Sequence, residues 1–368
     1  MTSPTHREFV LTFGVVLAAV AGFLFLDTAL AKLDRTETTS HAASNYESGV
    51  TLMRQGRTAD ATEALRAAWN LDRTHIDYPV ALSAAILAGG RASEAENLLS
   101  PVLAANATDG PANLEMARIL TAERRYEAAA SYYHRAIYGL WSGNADSLRS
   151  ATRFELIDLI SAHGSRQELL SELLPVQSDS TLPPKVRRRI GHLLLAAGSP
   201  DRAATVFREL LRLDDSDADA YAGMGESAAA RGNLRTARAD FEEALRISPS
   251  DSALRVRAAV IDSALALDPT ERGLGPAAAA SRSSSLLSST LDFTRRCTEL
   301  TPTSELSALV DSAGAVLARP RPAAAATTDS DLRVELSQEI WKRLPLKCVL
   351  APEPRDQPLA LAQSRISQ

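Results

Sequence analysis

The chain has 368 residues and a formal net charge of −5, and 45% of its residues are hydrophobic while only 5% are aromatic. This acidic balance, with no arginine-rich arm and no long block of like charge, argues against a nucleic-acid-binding protein, which would carry a basic surface. Much of the hydrophobic content is alanine, which has a high helix propensity and suits close packing between helices.

The N-terminus contains an apolar stretch, Phe9–Leu26, of eighteen residues without a charge. This length reaches the lower limit for a membrane-spanning helix and exceeds the usual signal-peptide core of about 7–15 residues. We therefore predict a signal-anchor over residues 1–31, with the body outside the cytoplasm, in the periplasm. Two alternatives stay open: secretion after cleavage following Ala31, which ends an A-x-A pattern, and a buried core helix.

Residues 32–41 are polar and are predicted to form a linker. From residue 42 onward, small residues, a turn glycine and large apolar residues recur every 34 residues. The first block contains three copies, over 42–75, 76–109 and 110–143. Each copy has the pattern of two amphipathic helices joined by a short turn.

A second block of three copies covers residues 150–251, after an insertion at 144–149 that we predict to be a longer loop. Its first copy, 150–183, is degenerate. Its last copy has the clearest pattern, with small, aromatic and proline residues at Gly225, Ala237, Phe241, Ala244 and Pro249. Residues 252–269 resemble the first helix of a further copy and are predicted to form a capping helix.

This pattern resembles the tetratricopeptide repeat, a helix–turn–helix unit of 34 residues, and the chain resembles the membrane-anchored members found in bacterial envelopes. Two such helices cannot close a core alone, so neighbouring copies must stack. The resemblance implies an all-α protein, a right-handed superhelical solenoid of about six repeats plus the capping helix.

The region after the repeats is predicted to be a separate helical unit, residues 270–350, followed by a flexible tail, residues 351–368. Its predicted helices are Leu286–Leu300, Ser304–Leu317 and Asp331–Leu344. Cys297 and Cys348 are the only cysteines of the chain, and both lie here. Either they form a disulfide that closes a loop of about 50 residues, or they are two buried thiols.

No motif for phosphate binding, nucleophilic catalysis or metal ligation occurs, so we predict no catalytic residue, cofactor or metal. The resemblance instead implies a partner-binding groove lined by the first helix of each repeat. The candidate groove residues are Tyr46, Val50, Met53, Leu114, Arg118, Phe154, Asp158, Lys185, Arg188, His192, Asp219 and Glu226. The basic cluster Lys185–Arg189 is either a solvated helix start or a seat for an acidic peptide.

The sequence thus favours a non-enzymatic scaffold at a membrane that binds a peptide or protein segment in its groove. Members of the family that bind chaperone tails carry Lys and Asn where this chain has Tyr46 and Val50, which argues against that role. Two alternatives stay open. One is an accessory subunit or thiol-dependent enzyme with its chemistry in the C-terminal region, and the other is a self-assembling structural protein.

Overall fold

The computed structural model describes residues 6–297, 304–319, 326–350 and 352–367; at several positions near the N-terminus, at 304 and at 326–328 it describes only the backbone. In these ranges the regular structure is helical, apart from an isolated bridge between Asp109 and Leu140. The predicted all-α class is therefore confirmed for the part of the sequence described. The protein divides into two compact units, Met1–Gly164 and Ser165–Gln368.

The first unit is a series of helical hairpins in which consecutive helices pack against each other. Its helices are α1 (His6–Arg54), α2 (Thr58–Leu71), α3 (Asp77–Ala88), α4 (Ala92–Ala105), α5 (Gly110–Ala122), α6 (Tyr126–Ile137) and α7 (Ala145–His163). The hairpins α3–α4 and α5–α6 fall in the second and third predicted copies. The first copy begins inside α1, which continues into it from the N-terminus.

The predicted linker at residues 32–41 is wrong, because this segment is part of α1. The segment contains neither Gly nor Pro, so nothing in its local sequence ends a helix. The apolar stretch Phe9–Leu26 belongs to the same helix, and the side chains of many of its residues lie outside the described set. Among the residues described, no helix has the length and apolar content needed to cross a bilayer, so the predicted transmembrane helix is not supported.

The turn inside each hairpin contains a residue with a left-handed backbone. Gly56, Gly90, Gly198 and Gly232 have φ between 73° and 77°, and they keep the 34-residue spacing within each block. In the third copy the same position is Arg124, with φ of 61°. Glycine enters this region without a steric penalty, whereas an L-residue with a Cβ does not.

The second unit contains two further repeat hairpins and a C-terminal helical bundle. Its helices are α8 (Arg166–Leu173), α9 (Pro184–Ala196), α10 (Pro200–Leu213), α11 (Ala218–Ala230), α12 (Leu234–Ile247), α13 (Ser252–Leu267), α14 (Pro276–Cys297), α15 (Ser304–Ala318), α16 (Ala326–Arg343), α17 (Leu346–Leu350) and α18 (Gln357–Ile366). The hairpins α9–α10 and α11–α12 fall in the last two predicted copies, and α13 covers the predicted capping helix.

Phe207 of α10 is the centre of packing between these two hairpins and is fully buried. A Cβ added at Gly191 would lie 2.6 Å from its ring, and a Cβ added at Gly223 would lie 2.3 Å from it. The absence of side chains at these glycines therefore lets both α9 and α11 approach the ring closely. This contact explains why small and bulky residues recur together in the repeat pattern.

The insertion at residues 144–149 does not form the predicted loop. Residues 145–149 are the first turn of α7, and the connecting loop lies earlier, between Ile137 and Ala145. Trp141 fixes that loop, because its indole N–H donates to the carbonyl of Ala136 at 2.7 Å. The boundary between the units falls after Gly164, inside the degenerate copy.

The prediction of a flexible tail is also wrong, since most of the tail forms α18 after a short 3-10 turn at Pro354–Asp356. Leu359, Ala362 and Gln363 lie on one face of α18 and are buried. The side-chain amide of Gln363 donates to Thr290 Oγ1 at 2.9 Å and to Ser337 Oγ at 2.6 Å. Gln363 of α18 therefore joins Thr290 of α14 and Ser337 of α16 in a buried polar contact inside an apolar core.

The end of α14 is covalently linked to α17, because Cys297 and Cys348 form a disulfide. The helix predicted at Leu286–Leu300 is α14, which begins earlier, at Pro276; residues 298–300 of the prediction lie outside the described residues. The other two predicted helices correspond to α15 and α16.

Candidate functional site

The first helices of the second unit carry a connected set of charged side chains. His192 on α9 places Nε2 3.3 Å from Asp219 Oδ2 and Nδ1 3.5 Å from Glu226 Oε2, both on α11. Arg257 on α13 extends the set, with Nη1 2.6 Å from Glu226 Oε1. We call these four residues the groove network. It links three successive first helices through side chains that are only half-buried.

The groove network holds two cations and two anions at neutral pH. Hydrogen bonding to Asp219, and then to Glu226, raises the pKa of His192 to about 9, against a smaller opposing effect of burial. The pKa of Asp219 is lowered, chiefly by His192. For Glu226, burial is the largest single effect and raises the pKa, but the combined effect of His192 and Arg257 lowers it.

An apolar cavity of about 360 Å³ lies beside the groove network. Its lining residues are Glu226, Ala229, Ala230, Phe241, Val256, Arg257, Val260, Ile261, Gln357 and Leu361. Val256 on α13 is 65% exposed, so an aliphatic surface is open to solvent here. We call this space the groove cavity; one ion pair of the groove network borders it.

The basic cluster Lys185–Arg189 does not form one continuous basic surface. Arg187 is buried, and its Nη2 lies 2.6 Å from Glu209 Oε2 on α10. Arg188 is half-buried, with Nε 3.1 Å from Asp217 Oδ2, while Lys185 is exposed. The geometry therefore pairs two of these cations with carboxylates of the same unit, which weakens the case for an acidic-peptide seat.

In the first unit, the predicted groove residues near the N-terminus form an apolar and aromatic surface. Tyr46, Val50 and Met53 on α1 and Leu114 on α5 are half-buried. The ring of Tyr46 lies 5.1 Å from that of Tyr78 on α3. Burial, followed by the charge of Asp77, raises the pKa of Tyr46.

Further along the first unit, Arg118 forms a bidentate pair with Glu155 of α7, at 2.6 and 3.0 Å. The hydroxyl of Tyr133 also donates to Glu155, at 3.3 Å. Burial, and then the charge of Glu155, raises the pKa of Tyr133 to about 12. On the same helix as Glu155, Phe154 is half-buried and Asp158 is exposed.

The structure thus brings together three predicted residues, His192, Asp219 and Glu226, and pairs Arg118 and Arg188 with carboxylates that were not predicted. Sequence reasoning missed Arg257 and Glu155, which are both sixth in their 34-residue copies. The repeat pattern could have indicated them, because the sixth position adjoins the fifth, which was already assigned to the groove.

Two structural observations bear on the metal and thiol chemistry considered from the sequence. The residues described contain no group of three or more His, Cys, Asp or Glu side chains that could hold a metal ion. The chain has two cysteines, and their disulfide leaves no free thiol for thiol-dependent chemistry.

Two stretches of the sequence match the tetratricopeptide repeat family, residues 52–119 in the first unit and residues 188–252 in the second. No curated protein matches the sequence. These family matches contain the hairpin α3–α4 and the hairpin α11–α12.

Among solved structures, the chain is similar to YrrB, described as a tetratricopeptide-repeat protein with an unusual peptide-binding site, at 17% identity and a TM-score of 0.43, over 54% of this chain and 98% of that chain. It is also similar to the C-terminal part of a tetratricopeptide-repeat-containing protein from Cytophaga hutchinsonii, at 13% identity and a TM-score of 0.47, over 66% of this chain and 94% of that chain. A third similar structure is the TPR2AB domain of yeast Sti1 in complex with pHSP90. Its identity is 14% and its TM-score 0.29, over 82% of this chain and 98% of that chain. The two family matches and the hairpins that they contain identify residues 52–119 and 188–252 as tetratricopeptide repeats within an all-α fold.

Proposed function

We propose that this protein is a non-enzymatic scaffold that binds a peptide or protein segment along the first helices of its repeats. Tetratricopeptide-repeat proteins generally mediate protein–protein interactions and bind peptides. The observation that carries the proposal is the groove network next to the groove cavity, because it places paired charges at the edge of an open apolar space.

A bound segment would use both features. An extended peptide presents its backbone amide and carbonyl groups alternately and directs alternate side chains to opposite sides. Glu226 would accept from a backbone amide of the peptide, and Arg257 would donate to a backbone carbonyl oxygen. One large apolar side chain would enter the groove cavity, where its burial contributes about 1.5–3 kcal/mol.

We also propose that the N-terminal segment tethers the scaffold to a membrane, with the repeats in the periplasm; secretion after cleavage following Ala31 is the alternative. The support is the uncharged run Phe9–Leu26, in which Phe23, Leu24 and Phe25 are each more than 60% exposed. Because consecutive residues point in different directions around a helix, these exposed side chains place apolar surface on more than one side of α1. Membrane fractionation and an intact-mass measurement distinguish the two locations. A tethered protein sediments with membranes and keeps its N-terminal segment, whereas a secreted protein is soluble and has lost the mass of residues 1–31.

Site-specific photo-cross-linking in living cells tests the groove. A photoreactive amino acid replaces Val256, which lines the groove cavity, or Leu213, an equally exposed aliphatic residue on the second helix α10. We expect discrete cross-linked partners from position 256 and not from position 213. Glu226→Gln should reduce the yield at position 256.

Equal cross-linking from the two positions would contradict groove binding. Products that contain only copies of this protein would instead favour the self-assembly alternative. Each product is assigned by mass spectrometry, so these outcomes are distinguishable.

A further inference from the structure

A second cavity, of about 360 Å³, lies in the first unit between α2, α4 and the loop that joins α2 to α3. Its lining residues include Trp69, Arg73, Ile76, Leu98, Pro101 and Val102. None of the predicted groove residues is among them. Because α2 and α4 are second helices of their hairpins, this outer cavity is separate from the groove.

Most of the outer cavity is apolar, but two main polar features border it without their usual partners. The indole N–H of Trp69 is buried and makes no hydrogen bond to any described residue. Pro101 lies inside α4 and has no N–H, so the carbonyl of Asn97 lacks the donor that a helix normally supplies four residues later. Buried polar groups in proteins are usually hydrogen-bonded, so an unpartnered donor beside a cavity is available to an acceptor that enters the cavity.

The charge of the outer cavity selects the type of acceptor. Arg73 is the one charged residue among those that line it. The guanidinium carbon of Arg73 lies 4.8 Å from the centre of the Trp69 ring, and Nη2 donates to Asn70 Oδ1 at 2.5 Å. The guanidinium is exposed and keeps unused N–H donors, and arginine is well suited to bind carboxylates.

We propose that the outer cavity is a second binding site, which takes an acidic segment of a partner protein. A Leu or Phe side chain of that segment enters between Ile76, Leu98 and Val102, which are half-buried. An adjacent Asp or Glu carboxylate binds Arg73, and an oxygen of the segment accepts the N–H of Trp69. The scaffold could then hold one partner in its groove and another on its outer face.

The test uses the full-length protein and the acetylated, amidated peptide Glu-Phe-Glu-Leu-Glu as the probe. A peptide with Lys at each Glu position is the matched control for charge. Isothermal titration calorimetry measures affinity, and tryptophan emission locates the site. Because the protein has only three tryptophans, the emission change on binding should disappear in Trp69→Phe.

We expect the acidic peptide to bind and the basic peptide to bind at least tenfold more weakly. Arg73→Gln should weaken the acidic peptide about tenfold. Arg73 is exposed, so this variant should keep its circular dichroism spectrum and its unfolding midpoint. Arg188→Gln, the same change in the groove of the second unit, should leave the peptide's affinity unchanged.

Three results would overturn the proposal: no detectable binding of the acidic peptide, equal binding of both peptides, or full affinity in Arg73→Gln. Loss of binding in Arg188→Gln would also overturn it, by assigning the peptide to the groove. A parallel titration with dodecanoate covers lipid-like anions. If dodecanoate binds more tightly than the peptide and depends on Arg73, the site takes an anionic amphiphile and not a protein segment.

Discussion

His192 and Asp219 lie nearly one repeat apart in the sequence, and their side chains meet at 3.3 Å across two first helices. The imidazole therefore gains its proton more readily in the folded protein than in the unfolded state. Its pKa rises from an ordinary 6.5 to about 9. Protonated His192 thus stabilises the packing of α9 against α11 at neutral pH.

The first prediction concerns the dependence of stability on pH. The stabilisation from His192 is fully present below pH 6.5 and is lost as the pH rises through 9, because the folded state then gives up the proton. The shift corresponds to at most about 3 kcal/mol, and solvent screening of a side chain that is 35% exposed reduces this to about 1 kcal/mol. Urea unfolding at pH 6 and pH 10 should show this loss in the wild type, but not in His192→Gln. An equal loss in the variant would contradict it.

The second prediction concerns Tyr133 and Glu155. Removing the charge with Glu155→Gln should lower the pKa of Tyr133 from about 12, although burial, the larger cause, keeps it above 10. Tyrosinate absorbance against pH measures the change, with Tyr133→Phe identifying the signal. Glu243→Gln breaks an exposed pair in the other unit and serves as the control, with an unchanged titration.

The third prediction concerns the left-handed turn residue of the third copy. Arg124→Gly should raise the free energy of unfolding by about 1 kcal/mol, because glycine relieves the steric cost of a positive φ. The converse change at the equivalent turn, Gly232→Arg, should lower it by a similar amount. Urea denaturation of both variants measures the effect. If both changes were neutral, the turn geometry would be wrong.

The fourth prediction concerns the close approach at Phe207. Gly223→Ala should destabilise the protein by about 1–3 kcal/mol, since the new methyl group would overlap the fully buried ring. Gly314→Ala, in α15, is the matched control, because a Cβ there meets nothing within 4 Å. The control should gain up to about 1 kcal/mol from higher helix propensity. Thermal unfolding of the pair should therefore show shifts of opposite sign.

The fifth prediction concerns the disulfide. Replacing Cys297 and Cys348 by Ser should lower the free energy of unfolding by about 4 kcal/mol, the value that loop-closure entropy gives for a loop of this length. Unfolding of the wild type with dithiothreitol should reproduce the stability of the double variant. A wild type insensitive to the reductant, under conditions where mass spectrometry shows free thiols, would contradict the expected contribution.

Much of the repeat region was predictable because its packing is local and periodic. Turn residues and small helix positions recur every 34 residues, so each clear copy supports the boundaries of the next. The same periodicity predicted that His192, Asp219 and Glu226 would lie on first helices. It could not show that they bond to each other, because a repeat pattern gives the face of a helix and not the rotamers of its side chains.

Other elements depend on tertiary contacts that leave little trace in the local sequence. α18 follows a polar, proline-containing stretch and has a proline near its start, and its apolar residues Leu359 and Ala362 are buried in the core of this unit. The segment at 32–41 is helical because α1 extends through it from both sides. In each case, the neighbouring structure decided a conformation that composition alone assigned to a loop.

The continuity of α1 has a mechanical consequence. The helix runs for 49 residues, about 74 Å at 1.5 Å per residue, and its last turns are the first helix of the first repeat. A displacement or rotation of its N-terminal end is therefore transmitted to Tyr46 and Val50 through unbroken hydrogen-bonded turns. Anything that binds the N-terminal end of α1 therefore also constrains the orientation of the first repeat.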